Sequence, residues 1–76
     1  MQSKTEAQIR DEIAELRRKA EEMTEASKQT YYKSNGNGKL ERDRQYPHEL
    51  LNEAKQLRGQ ADSLETILNQ AVAEYG

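Results

Sequence analysis

The segment from Leu50 to Tyr75 carries an apolar repeat that constrains the fold of this chain more than any other feature. Its apolar residues lie alternately four and three positions apart, at Leu50, Ala54, Leu57, Ala61, Leu64, Leu68, Ala71 and Tyr75. This spacing predicts a helix with a coiled-coil seam along one side. Three more apolar residues, Leu51, Ile67 and Val72, flank the seam, so the apolar face is wider than one narrow partner helix covers.

A second seam occupies the first part of the chain. Its apolar residues follow the same spacing, at Ile9, Ile13, Leu16, Ala20 and Met23. Ser3 and Glu6 have the spacing of a capping box, in which each side chain accepts a hydrogen bond from the backbone N–H of the other residue. The pattern predicts a first helix over about residues 4–33, whose seam weakens at Ser27 and Thr30.

The segment between the two seams is polar. The run Asn35–Gly38 consists of residues that tolerate the left-handed backbone of a helix end or a tight turn. We therefore expect an exposed loop over residues 34–46 and a second helix over about residues 47–75. A β-hairpin is the alternative, with residues 30–33 pairing with residues 39–42 across Asn-Gly.

Two helices of similar length joined by a short polar segment are expected to fold back antiparallel. One register sets Leu16 opposite Leu68 and Ala20 opposite Leu64, and a register shifted by one heptad remains open. Large residues then face small ones across the seam. Across the same pair, we expect Arg17 to form an ion pair with Glu65 or Asp62.

Chains of this size rarely bury enough apolar surface to be stable alone. This one has no Cys and a single His, so disulfides are excluded and a metal has few ligands. We predict an all-α fold: one domain over residues 1–76, an antiparallel two-helix hairpin that dimerises into a four-helix bundle with twofold symmetry. The predicted dimer interface consists of Leu51, Leu57, Leu64, Ile67, Leu68 and Val72.

Charge and composition narrow the function classes. The chain has 12 basic and 14 acidic side chains and a net charge of −2, a balance that disfavours nucleic-acid binding. No apolar leader opens the sequence, and no run approaches the roughly 20 apolar residues of a membrane span. We expect a whole small protein in the cytoplasm. The phosphate-binding and nucleophile motifs of common enzymes do not occur, so we expect no enzyme activity, cofactor or metal.

An aromatic and basic cluster near the middle of the chain is the predicted partner-binding site. Its members are Tyr31, Tyr32, Asn35, Asn37, Lys39, Arg42, Arg44 and Tyr46. Protein interfaces favour Tyr and Arg because these side chains combine a large contact area with hydrogen bonds. Two alternatives remain open: the tyrosines fill the core where Ser27 and Thr30 cannot, or they stack on nucleic-acid bases.

Three other features have simpler interpretations. The first helix carries a basic patch, formed by Arg10, Arg17, Arg18 and Lys19. The glutamates interleaved with it favour a solvated helix face over a phosphate-binding strip. His48 is expected to be a surface residue of the first turn of the second helix. Gly59 interrupts that helix away from the seam, and a close approach by another chain is one reason for a glycine there.

The capped helix TEAQIRDEIAELRRKAEE, the polar segment and the second helix together resemble the phage quorum-sensing anti-activators, which are compact helical-hairpin dimers. The resemblance implies a protein that binds and blocks a host regulator such as a LuxR-type transcription factor. A pilus-assembly ATPase is a second target known for that group. No motif matches residue by residue, so the resemblance assigns no functional residues. A looser similarity exists to phage head-completion proteins, against which the polar segment argues.

The sequence thus predicts a non-enzymatic protein-interaction module that dimerises. Its expected role is that of a small phage or bacterial inhibitor or adaptor that docks on a larger host protein, in the host cytoplasm if it is phage-encoded. One alternative is a nucleic-acid-binding dimer that uses the basic patch of the first helix. The other is a structural component of a virion or scaffold.

Overall fold

The computed structural model describes residues 3–75, which form two α-helices joined by a pair of β-strands. The elements are α1 (Glu6–Ser27), β1 (Tyr31–Ser34), β2 (Leu40–Asp43) and α2 (Gln45–Tyr75). The helices pack against each other, and the strands form a separate antiparallel sheet that contacts them only sparsely. The molecule is elongated, with extents of 62 × 21 × 14 Å. The predicted helical hairpin is therefore confirmed, but the chain is not all-α.

The amino-terminal cap of α1 is Thr5 and not Ser3, so the predicted capping box was two residues too early. The Thr5 hydroxyl accepts from the Gln8 backbone N–H at 3.1 Å, and the Gln8 side chain accepts from the Thr5 N–H at 2.8 Å. These two bonds satisfy donors that the first turn of a helix leaves without partners. The cap at Thr5 also puts Glu6 in the first turn, where the helix dipole favours a negative charge.

The carboxy-terminal end of α1 lies at Ser27, six residues before the predicted end at residue 33. The last turn tightens there, because the backbone N–H groups of Lys28 and Gln29 donate to carbonyls three residues back. No large apolar residue follows Met23 at the seam positions, so packing on α2 gives no reason to extend the helix. The aromatic pair Tyr31 and Tyr32 instead favours an extended strand.

The segment predicted as an exposed loop over residues 34–46 contains the turn and second strand of a β-hairpin. The alternative prediction of a β-hairpin is correct, but the predicted pairing of residues 30–33 with residues 39–42 is wrong in register. Tyr31 pairs with Asp43, and Ser34 pairs with Leu40. The strands are closed by the Asn35 backbone N–H, which donates to the Lys39 carbonyl at 3.1 Å. Gly36 and Gly38 have φ angles of 86° and 75°, a region that side-chain-bearing residues rarely adopt.

Helix α2 begins at Gln45, two residues before the predicted start at Pro47. One carboxylate oxygen of Asp43 accepts from the backbone N–H groups of Gln45 and Tyr46, at 3.0 and 3.1 Å. Asp43 therefore ends the second strand and caps the second helix. Pro47 lies within the first turn, where its missing N–H would have had no helical partner.

The core between the helices is narrow and consists largely of small residues. The buried side chains are Ile13, Ala20, Ala54, Ala61 and Leu68. Three of the five are alanines, which let the helices approach closely but bury little apolar surface. Within residues 3–75, two large side chains are buried, Ile13 and Leu68, each contributing roughly 1.5–3 kcal/mol. The hairpin core alone is thus small for a chain of this length.

Two polar contacts between the helices show their antiparallel register. Arg17 forms ion pairs with both Glu65 and Asp62, which confirms the predicted pairing. Arg58 donates to the Thr24 hydroxyl at 2.9 Å. The two contacts are seven residues apart on α1, from Arg17 to Thr24, and seven residues apart in the opposite direction on α2, from Glu65 to Arg58. A step of one heptad on both helices is the repeat of a coiled coil.

Candidate protein-interaction surfaces

The two faces of the β-hairpin differ in what they contact. Because side chains alternate along a strand, the register divides the hairpin into an inner face and an outer face. The inner face contains Tyr31, Lys33, Glu41 and Asp43, and both of its end residues are half-buried. The outer face contains Tyr32, Ser34, Leu40 and Arg42, all exposed. Tyr32 is 64% exposed and Leu40 is 72% exposed.

The inner face is anchored to the ends of both helices by Tyr31. Its hydroxyl donates to the Ala26 carbonyl of α1 at 2.7 Å. Its ring packs edge-on against the ring of Tyr46 in α2, with centroids 4.8 Å apart and planes at 83°. This is a favourable geometry for an aromatic pair. Within the predicted cluster, Tyr31 thus has a structural role, as the core-filling alternative proposed, and Tyr46 shares it while remaining 42% exposed.

The other members of the predicted partner-binding cluster are all exposed, but their roles differ. The Asn35 side-chain oxygen accepts from the Asn37 backbone N–H at 3.1 Å, so Asn35 stabilises the turn. Asn37 and Lys39 lie in and beside that turn, and Arg42 stands directly across from Tyr32 in the sheet. Arg44 links β2 to α2. The exposed cluster is therefore centred on the outer face of the hairpin.

Leu40 is the residue of this surface that sequence reasoning did not select. It is the most exposed large aliphatic side chain of the described residues. The signal was visible in the sequence, since Leu40 is the single apolar residue of the polar run from Lys39 to Gln45. Its position became informative only when the hairpin register set it on the same face as Tyr32 and Arg42.

The paired helices have a polar side and an apolar side. Residues seven apart lie at nearly the same angle around a helix that packs as a coiled coil. Arg17 and Thr24 of α1 therefore share one side of the hairpin with Arg58 and Glu65 of α2, which they contact. We call this the polar side.

The opposite side of the helix pair is apolar and incompletely covered. It consists of the half-buried residues Ile9, Leu16, Met23, Leu50, Leu57 and Leu64. Ile67 lies beside Leu64 on the edge of this apolar side and is 62% exposed. Ile9, Leu16 and Met23 were assigned to the hairpin core and not to the dimer interface. The spacing of these residues predicted the seam correctly. It could not show how much of each side chain stays exposed after α2 has packed on α1.

The structure divides the residues predicted for the dimer interface into three groups. Leu57, Leu64 and Ile67 lie together on the apolar side. Leu51 lies seven residues before Arg58 and Val72 lies seven residues after Glu65, so both are on the polar side. Leu51 is 44% exposed and Val72 is 37% exposed. Leu68 is buried between α1 and α2. The single chain thus already covers one member of the predicted set and separates two others from the rest.

The three arginines of the basic patch of α1 are paired with carboxylates. Arg10 donates to Glu6, Arg17 to Asp62 and Glu65, and Arg18 to Glu15 and Glu22. The hydrogen bond from Arg18 lowers the pKa of Glu15, while the bonds to Glu65 and then Asp62 raise the pKa of Arg17. These arginines are engaged within the chain, which weakens the alternative that they form a phosphate-binding strip.

The described residues contain one histidine and no cluster of metal-binding side chains. His48 is exposed, in the first turn of α2 as predicted. Between residues 3 and 75, no three His, Cys, Asp or Glu side chains cluster as ligands for a metal ion. Neither α1 nor α2 is both long enough and apolar enough to cross a membrane.

Comparisons with protein-family models, with curated proteins and with solved structures found no match to this chain.

Proposed function

We propose that this chain is a non-enzymatic protein-interaction module, whose β-hairpin docks on a larger protein and whose helices pair with a second copy. The observation that carries the proposal is the outer face of the hairpin. Tyr32, Leu40 and Arg42 are exposed together on a sheet that the helices hold from its other face. Tyr and Arg are the residue types that most often contribute strongly to binding at interfaces.

The scaffold beneath that surface supports a binding role because the hairpin has an anchor. An isolated two-stranded hairpin is marginally stable in water. Here Tyr31 bonds to α1 and packs on Tyr46, and Asp43 caps α2. These contacts restrain the hairpin, and a restrained surface loses less conformational entropy on binding.

The apolar side of the helices supports the dimer. A compact monomer of this mass exposes about 4,800 Å², whereas this chain exposes 6274 Å². The excess of about 1,500 Å² exceeds the roughly 800 Å² that each partner buries in a standard interface. A twofold pairing of the apolar sides would cover Leu57, Leu64 and Ile67 and complete a four-helix bundle.

The biological role that we propose is that of an inhibitor or adaptor, in the cytoplasm, which occupies a surface of a larger host protein. A transcriptional regulator is the target class that the resemblance to phage anti-activators implies. That target remains a prediction from the resemblance. The hairpin surface and the apolar side support the binding mode but do not select the target.

The experiment compares capture of partner proteins by the wild type and by a Tyr32→Ala, Arg42→Ala double variant. Both residues are exposed, so we expect the variant to keep its helical circular dichroism and its melting temperature. Affinity purification from a lysate of the source cells, followed by mass spectrometry, should recover a defined protein with the wild type and lose it with the variant. A matched control is Lys55→Ala with Glu53→Ala, two exposed positions on α2. Equal recovery by all three proteins would contradict the proposal.

A further inference from the structure

The hairpin end of the molecule carries basic side chains that form no ion pair with the carboxylates of the described residues. Within residues 3–75, no ion pair includes Lys33, Lys39, Arg42 or Arg44. The arginines of α1 differ, because Arg10, Arg17 and Arg18 are each paired with a carboxylate. The charges of the hairpin end thus stay available to an external group.

The distribution of charge along the chain is correspondingly uneven. Residues 30–44 carry four basic and two acidic side chains, whereas the rest of the chain carries eight basic and twelve acidic ones. One of the two hairpin carboxylates, that of Asp43, is bonded to the first turn of α2. A basic end on an acidic molecule orients an acidic partner towards the hairpin and repels it from the helices.

The apolar residues of the outer face indicate what else the partner must contain. Tyr32 and Arg42 stand directly opposite each other, about 5 Å apart at their Cβ atoms. Leu40 lies on the same face, two residue pairs further along, where it stands opposite Ser34. A cation beside a tyrosine and an exposed leucine matches a ligand that combines carboxylates with an apolar side chain. Leu40 has no ring on which a nucleic-acid base could stack, and a single exposed tyrosine is a small stacking platform.

We propose that the outer face of the β-hairpin binds an acidic segment of the partner protein. An apolar side chain of that segment packs between Tyr32 and Leu40, and its carboxylates pair with Arg42 and Arg44. This inference rests on the proposed function and specifies the chemistry of the partner at the same surface.

The test is selection from a random peptide library displayed on yeast, with the full-length protein as bait. Enriched peptides should carry an excess of Asp and Glu and at least one large apolar residue. Fluorescence anisotropy with the best labelled peptide then measures binding to the variants. We expect Arg42→Gln and Leu40→Ala each to weaken binding about tenfold, and added salt to weaken it further.

Lys55→Gln is the matched control for charge. Lys55 is exposed on α2 and, like Arg42, belongs to no ion pair of the described residues. It should leave peptide binding unchanged. Circular dichroism of each variant establishes that the fold persists.

Several outcomes would overturn the inference. One is that no peptide is enriched, or that the enriched peptides lack an excess of Asp and Glu. Another is an equal loss of peptide binding in Arg42→Gln and Lys55→Gln. A third is that a labelled single-stranded oligonucleotide binds at the hairpin more tightly than the best peptide. Neutral or basic peptides whose binding is lost in Tyr32→Ala would refute the acidic partner alone and leave the proposed function standing. Peptides whose binding no hairpin variant alters would contradict both.

Discussion

Thr5 shows how a single side chain decides where α1 begins. Thr5 and Gln8 each accept from the other's backbone N–H, whereas Ser3, two residues earlier, caps nothing in the helix. Both hydroxyl residues lie three positions before a residue with a long polar side chain, so the sequence pattern alone does not distinguish them.

Replacing Thr5 by Ala should therefore destabilise the protein, and replacing Ser3 by Ala should not. The expected loss for Thr5→Ala is about 1 kcal/mol in the free energy of unfolding, because the N–H of Gln8 loses its acceptor. Urea unfolding followed by circular dichroism, at one fixed protein concentration, measures both variants. A larger loss of stability for Ser3→Ala than for Thr5→Ala would show that Ser3 caps the helix, as the sequence pattern predicted.

Gly59 is a second residue at which the structure makes a specific prediction. It lies within α2, and a Cβ atom added there would meet nothing within 4 Å. Gly59→Ala should stabilise the protein by roughly 0.5–1 kcal/mol, because glycine loses more conformational freedom in a helix than alanine does. Thermal unfolding at several protein concentrations measures the change. A lower stability would mean that another chain packs against Gly59 in the assembly.

At the scale of elements, the β-hairpin depends on Tyr31 for its attachment to the helices. Tyr31→Phe keeps the ring contact with Tyr46 but removes the hydrogen bond to the Ala26 carbonyl. A hydrogen bond of this kind contributes about 1 kcal/mol. Hydrogen exchange should therefore become faster in β1 and β2, while exchange in the middle of α2 stays unchanged.

Tyr32→Phe is the control for that substitution. Tyr32 is the neighbouring residue on the same strand, but it faces solvent and its hydroxyl has no partner among the described residues. Hydrogen exchange in the hairpin should remain at the wild-type rate. Equal acceleration in both variants would show that the Tyr31 hydroxyl does not anchor the hairpin.

The helices were predictable from the sequence because the four–three spacing acts over many residues. The seam of α2 and the pairing of Arg17 with Glu65 and Asp62 follow from that spacing. The hairpin was harder to predict, since strands of four residues depend on the conformational preferences of a few residues. In this segment those preferences compete with helix formation. Tyr31 and Tyr32 favour a strand, yet Ser27 and Thr30 continue the helical register, so both outcomes fit the pattern.

The candidate site was predicted in part for the same reason. The aromatic and basic cluster was selected by residue type, and type does not separate Tyr31, which anchors, from Tyr32, which is exposed. That distinction depends on the alternation of a strand, and the segment containing both residues was predicted to be helical. Leu40 was left out because it is neither aromatic nor charged, and only the strand pairing sets it on the same face as Tyr32 and Arg42.

At the scale of the whole molecule, the chain is far from compact. Its radius of gyration is 18.1 Å, whereas a compact domain of this length has one of about 11 Å. The apolar side of the helices runs along this extended shape with large side chains left half-covered. A second copy supplies the same apolar surface in the same quantity, and this is why we propose a twofold dimer.

Ile67→Lys should dissociate that dimer, and Leu51→Lys should not. Ile67 lies at the apolar side, whereas Leu51 lies on the polar side, and both are exposed enough in one chain for lysine to be tolerated. The loss of a buried isoleucine, roughly 1.5–3 kcal/mol per copy, occurs twice in a symmetric interface. The dissociation constant should therefore rise at least a hundredfold. Sedimentation equilibrium measures it, and dimers of equal strength in both variants would refute the proposed face.

The β-hairpin is joined to α1 by residues 28–30 and to α2 by Arg44. Both connections therefore lie at the same end of the helix pair. Strand pairs can be inserted near its loop without shifting the heptad register below. Two added pairs carry the loop outwards by about 7 Å and restore every side chain to its original face. The length of the hairpin can therefore change while the helices that support it keep their packing.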